Sequence, residues 1–143
     1  MPRLVLVLLL LWAPLQAQSV KSFPRIRSVS SVTIVEDFLY FNLEPVIPQS
    51  VFRKWWVEME KCTGSEKSFN DISWYVANVI YNIAVRKRAW GIYYREPPEI
   101  IIVSNLTRAR LENTAKHEML HHLQGGHDEK TFNRCLPFGL END

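Results

Sequence analysis

Two cysteines, Cys62 and Cys135, are the only ones in the 143 residues, and they lie far apart along the chain. An even pair without CxxC spacing reads first as one disulfide if the protein is exported, because an oxidising compartment preserves the bond. Such a bond ties the middle of the chain to its C-terminal part, so any fold must bring those two regions into contact. By the chain-entropy estimate, closing a loop of roughly 70 residues stabilises a fold by about 4 kcal/mol. The other role open to the pair is thiolate ligation of a metal together with histidines.

The chain start decides which compartment applies. Arg3 is a positive n-region, Leu4 to Trp12 is a short apolar stretch, and Ala13-Pro14-Leu15-Gln16-Ala17 ends in a plausible cleavage residue, which together make residues 1–17 an expected signal peptide. The apolar stretch is shorter than the roughly 20 residues of a spanning helix, and no later run reaches that length, so no stable membrane span is expected. The mature chain, residues 18–143, is then secreted or periplasmic and long enough for a single domain with a real core. A net charge of +2 is too small to point to nucleic acid. The local basic clusters Arg86-Lys87-Arg88 and Arg108/Arg110 read as solvated faces.

Patterning along the mature chain predicts an α+β fold with a short β-sheet. Residues 28–36 are rich in Val, Ile and Thr and read as a strand, with residues 38–43 continuing or pairing with it. Ser50 is the expected N-cap of an amphipathic helix in which Val51, Phe52, Trp55, Trp56 and Met59 form one apolar stripe that turns the tryptophans inward. Residues 72–80 read as one strand with Ile72, Trp74 and Val76 on a common face, and residues 86–94 as its hairpin partner or a loop. Glu99 to Val103 is a short apolar run after Pro97-Pro98, a placement that suits a strand at or near a sheet edge. Glu112-Asn113-Thr114 supplies capping side chains for a helix over 115–124, stopped by Gly125-Gly126.

All four histidines fall between His117 and His127, in HEMLHHLQGGHD. His117 and His121 are four apart on the expected helix, so both imidazoles share a face and can converge on one ion. Glu118 projects beside that face, within reach of a water at the ion. Ala115, Met119 and Leu123 give the opposite flank an apolar surface to bury. His122 points about 100° away from His121 and reads as a histidine hydrogen-bonded to backbone. After the glycine stop come His127 and the adjacent Asp128, both residue types that suit zinc.

His117-Glu118-Met119-Leu120-His121 resembles the HExxH motif of the zinc metallopeptidases called zincins, and His127 stands at the spacing of the third ligand in their metzincin branch. That branch has Gly where this chain has Gln124, and no methionine follows His127, so its Met-turn is not matched. The chain is also similar to small exported bacterial metallopeptidases in which a Gly-His loop and a Phe-x-x-Cys element follow HExxH; here the latter is Phe132 to Cys135. The resemblance implies a zincin-like domain holding Zn2+ on His117, His121 and His127 or Asp128, with Glu118 as general base acting on a peptide or protein substrate. It also implies a strand before the active-site helix, here Glu99 to Val103, that binds substrate by strand addition. An oxyanion donor is sought among Tyr93, Tyr94, Arg108 and Arg110. Two other classes remain: a non-catalytic metal-stabilised binding domain or metal carrier, and a disulfide-stapled interaction domain without metal. Asn105-Leu106-Thr107 is a glycosylation sequon in a eukaryotic setting.

Overall fold

Short β-branched and aromatic runs form the strands of this protein, and segments of stronger helix formers cross one side of them. The computed structural model describes residues 31–138; the signal peptide expected over residues 1–17 lies outside the described residues. In chain order the elements are β1 (Val32–Val35), β2 (Phe38–Phe41), β3 (Glu44–Pro45), α1 (Ser50–Thr63), a single 3-10 turn (Phe69–Asp71), β4 (Ser73–Ala77), β5 (Val79–Asn82), β6 (Lys87–Ala89), β7 (Gly91–Tyr94), β8 (Glu99–Val103), α2 (Arg108–Gln124) and α3 (Glu129–Cys135). The class is α+β as expected, with two four-stranded sheets instead of one. The outer sheet runs β1-β2-β5-β6 and the inner one β3-β4-β8-β7.

The inner sheet is the middle of three layers. Ile100 and Ile102 of β8 bury against the helices, whereas Ile101 and Val103 bury against the outer sheet with Tyr40, Ala77 and Ile80. A strand covered on both faces reads as a continuous apolar run, and that is the meaning of EIIIV. The edge position expected for Glu99 to Val103 is therefore corrected. β8 is interior, parallel to β4 on one side and antiparallel to β7 on the other, and Pro97-Pro98 precede it in a turn outside the ladder.

The single strand expected over residues 72–80 is also corrected, because it breaks at Asn78. Trp74 in β4 joins the helix-side core and Ile80 in β5 joins the core between the sheets. Asn78 spans the break, its N–H donating to the Phe41 carbonyl at 2.8 Å and its side chain accepting from the Ser104 hydroxyl at 3.2 Å. Residues 86–94 divide in the same way, β6 pairing with β5 and β7 with β8. Periodicity cannot mark such a switch of sheets, since both halves keep strand spacing.

Both helix starts differ from the expected ones. Gln49 caps α1 without a side-chain bond, and Ser50 is already helical, because the chain leaving Pro48 is extended at Gln49 and turns only afterwards. For α2 the cap is Thr107, whose hydroxyl accepts from Arg110 N–H, so the helix begins well before Glu112. Glu112 instead accepts from Lys116 one turn on, and Asn113 and Thr114 are buried in the helix body. The tryptophan stripe does face inward: Trp55, Trp56 and Met59 are buried against Met119, Leu120 and Leu123 of α2, each such side chain contributing about 1.5–3 kcal/mol. Among the described residues no helix is long and apolar enough to cross a membrane.

Cys62 near the end of α1 is bonded to Cys135 at the end of α3, closing a loop across a separation of 73 residues. The thiolate-ligand role is thereby excluded for this pair. Reduction, or the double change Cys62→Ser and Cys135→Ser, is expected to lower stability by about 4 kcal/mol on the loop-entropy estimate. Paired urea unfolding curves of oxidised and reduced protein measure this; coincident midpoints would show that the bond constrains nothing.

Candidate metal centre

Gly125 ends α2 in the left-handed conformation at φ 71°, its N–H donating to the His121 carbonyl at 2.9 Å. The chain then folds back over the helix face that carries His117 and His121. Arg95, just beyond β7, donates to the Gly125 carbonyl and tethers this return. The result places His127 against the two helical histidines, with ring centroids 5.6 Å from His117 and 5.4 Å from His121. One ring nitrogen from each of the three histidines lies within 4.8 Å of the others.

Chemically this donor set suits a metal ion. The Nε2 atoms of His117 and His121 are 3.1 Å apart. Tetrahedral zinc at about 2.0–2.1 Å from each nitrogen requires nitrogens roughly 3.3 Å apart, so small rotations of the rings satisfy it. Burial pushes the imidazoles of His117 and His121 down to about 4, helped by the charges that neighbouring histidines would carry. Both are therefore neutral, the state a ligand needs, at neutral pH. Phe132 lies under the cluster, its ring centroid 4.9, 5.0 and 4.3 Å from those of His117, His121 and His127.

Asp128, the other residue expected as third ligand, has a different partner. Its carboxylate caps α3, accepting from Thr131 N–H at 3.2 Å and from the Thr131 hydroxyl at 2.5 Å, bonds that hold it below the usual carboxylate range. His122 is buried and lies off the cluster, as its place on the helix implies. Its side chain bonds the Tyr93 hydroxyl at 2.9 Å, where a backbone partner is expected from the sequence, and its carbonyl accepts from Lys67 Nζ. Burial lowers its pKa, with the Lys67 charge acting in the same direction.

Glu118 is only 6 % exposed, and its surroundings explain a residue that the sequence reading passed over. A Cβ built on Gly91 would lie 2.6 Å from Thr114 Cγ2 and 2.9 Å from Glu118 Oε1. Only glycine lets β7 pass this close to α2, and the closeness seals the inner side of the carboxylate. Of the four candidate oxyanion donors, Tyr93 touches the histidines, bonding His122 and lying with its ring parallel to that of His121 at 6.4 Å. Tyr94 faces the other way and bonds the Tyr40 hydroxyl at 2.6 Å; Arg110 covers Trp90; Arg108 is exposed in the first turn of α2. Gly91, Arg95 and Phe132 are the site residues that spacing did not reveal. Gly91 preceding an aromatic strand was the one available signal, since glycine inside a strand pattern marks close backbone approach.

In metal-stripped protein, His117 and His121 bind protons in the unfolded chain below about 6.5 but in the folded chain only near 4. Stability is thus full above pH 6.5 and falls as pH drops through that window, where the unfolded chain holds more protons. Urea midpoints between pH 7 and 4.5 should decrease for wild type and decrease less for His117→Gln; equal slopes would contradict the assignment. Separately, Gly91→Ala is expected to cost about 1–3 kcal/mol through overpacking, part of it recovered when Thr114→Ser removes the clashing methyl. Calorimetric melting of the single and double variants reads the recovery, and its absence would place the strain elsewhere.

Compared with known proteins, the chain matches no family model, no curated protein and no solved structure.

Proposed function

We propose that this protein is an exported zinc-dependent peptidase, with His117, His121 and His127 as ligands and Glu118 as general base. The observation that carries the reading is the convergence of three imidazoles beside a buried carboxylate, Glu118 being adjacent to His117 on α2. Zinc bound there would supply Lewis acidity, lowering the pKa of a water towards about 7 and polarising a carbonyl. Glu118 accepts the proton of the attacking water and returns it to the leaving amine. Burial keeps the His117 and His121 imidazoles neutral and ready to bind. The disulfide fits an oxidising compartment, in keeping with a secreted or periplasmic address.

Strand addition belongs at β7 in this reading, since β8 is interior. Val103 N–H donates to the Trp90 carbonyl at 2.9 Å, so that pair is hydrogen-bonded within the ladder. Alternation along the register then turns the N–H and C=O groups of Gly91 and Tyr93, opposite Ile102 and Ile100, towards the outer edge. Among the described residues no strand pairs with that edge. An extended peptide backbone can dock there beside α2, and Tyr93 is the oxyanion donor that this reading favours.

The test is Glu118→Gln and His121→Ala, each assayed for zinc content by elemental analysis and for turnover of a quenched peptide library. Glu118→Gln should keep about one zinc per chain and lose roughly 10²–10⁴-fold in kcat, whereas His121→Ala should lose the metal. Undiminished turnover in Glu118→Gln sinks the mechanism. Zinc retained without hydrolysis by any form, wild type included, favours the non-catalytic metal-binding domain.

A further inference from the structure

His127 differs from its two partners in how it is held. His117 and His121 project from a well-packed helix, flanked by the fully buried Met119 and Leu120. His127 is exposed, and it lies on the loop that follows Gly125 and Gly126. Its aromatic contacts are with the other two imidazoles and with Phe132, the nearest of them at 4.3 Å and tilted by 34°. Phe132 is placed differently: it is 0 % exposed and sits in the middle of α3, which is capped by Asp128 at one end and disulfide-bonded to α1 at the other.

We propose that Phe132 is a positioning residue of the metal site, a fixed aromatic floor against which His127, the ligand supplied by a loop, is held before an ion arrives. The inference rests on the metal-site reading above. A site assembled in advance loses less conformational freedom on binding, and that difference appears as affinity. One ring contact of this kind corresponds to an effect of roughly 3- to 10-fold. Burial alone is the competing explanation for Phe132, and it is separable because leucine fills a core position without offering a flat ring.

The experiment is a cobalt(II) titration of wild type, Phe132→Leu and His127→Ala, all as the mature disulfide-bonded chain, with unfolding midpoints measured in chelator. Phe132→Leu is expected to bind cobalt roughly 3- to 10-fold more weakly, with its visible spectrum shifted towards that of His127→Ala. Its metal-free midpoint should fall no further than the lost core volume requires. Wild-type affinity and spectrum in Phe132→Leu overturn the positioning role while leaving the metal site intact; a wild type that binds no cobalt overturns both. If Phe132→Leu does not fold, proton NMR of metal-free wild type decides. Ring-current shifts of the His127 ring protons support the floor, and random-coil positions overturn it.

Discussion

The burial of α2 is the constraint on which the rest of the structure depends. This helix lies between α1, α3 and the inner sheet, and its buried residues include Asn113, Thr114, Lys116, Glu118 and His122 alongside the apolar Ala115, Met119, Leu120 and Leu123. Polar groups cost free energy in such a place unless they are paired. Lys116 is paired, with Glu58 at 2.7 Å and Glu112 at 2.6 Å, and His122 is bonded to Tyr93. The side-chain amide oxygen of Asn113 is buried without a hydrogen-bond partner among the described residues. A helix chosen for stability alone would carry leucine or alanine at several of these positions.

What makes the arrangement worthwhile is that burial also does chemical service. The desolvation that disfavours a charged imidazole keeps His117 and His121 neutral, and neutral imidazole is the form that ligates metal. The same enclosure holds Glu118 against the bare backbone of Gly91. Stability and the neutral state of these imidazoles thus draw on one physical fact, the removal of water from around α2. A protein can tolerate local departures from good packing where a site requires them, provided the remainder of the core is sound. Here the remainder is sound: the isoleucines of β8 and the tryptophans of α1 fill the two cores.

The second dependence is long-range. His127 reaches the cluster only because α3 folds back beneath α2, and α3 is held by its Asp128 cap and by the bond from Cys135 to Cys62. Local helical geometry brings His117 and His121 together, whereas His127 joins them through a tertiary contact between distant parts of the chain. That division explains how legible each part was. The i, i+4 spacing of His117 and His121 is a property of the helix and survives any fold. The choice between His127 and Asp128 is not local, since adjacent residues point differently according to whether a new helix starts at Asp128. The structure turns Asp128 to Thr131 as the cap of α3 and leaves His127 beside His117 and His121.

The strands repeat the lesson. β-Branched and aromatic runs identified strand-forming segments correctly, yet residues 72–80 and 86–94 each divide between two sheets, and the edge expected at β8 belongs to β7. Side-chain alternation records which residues can face a core; it does not record which of two cores they face. By itself the sequence determined the α+β class, the pairing of Cys62 with Cys135, the inward tryptophans and a helix presenting two histidines and a carboxylate. Those follow from local periodicity and from the chemistry of single residue types. Only the tertiary structure decided which strand borders the site, that Gly91 must lack a side chain, and that Phe132 lies beneath all three imidazoles. Those depend on distances between segments remote in the chain, which no local pattern encodes.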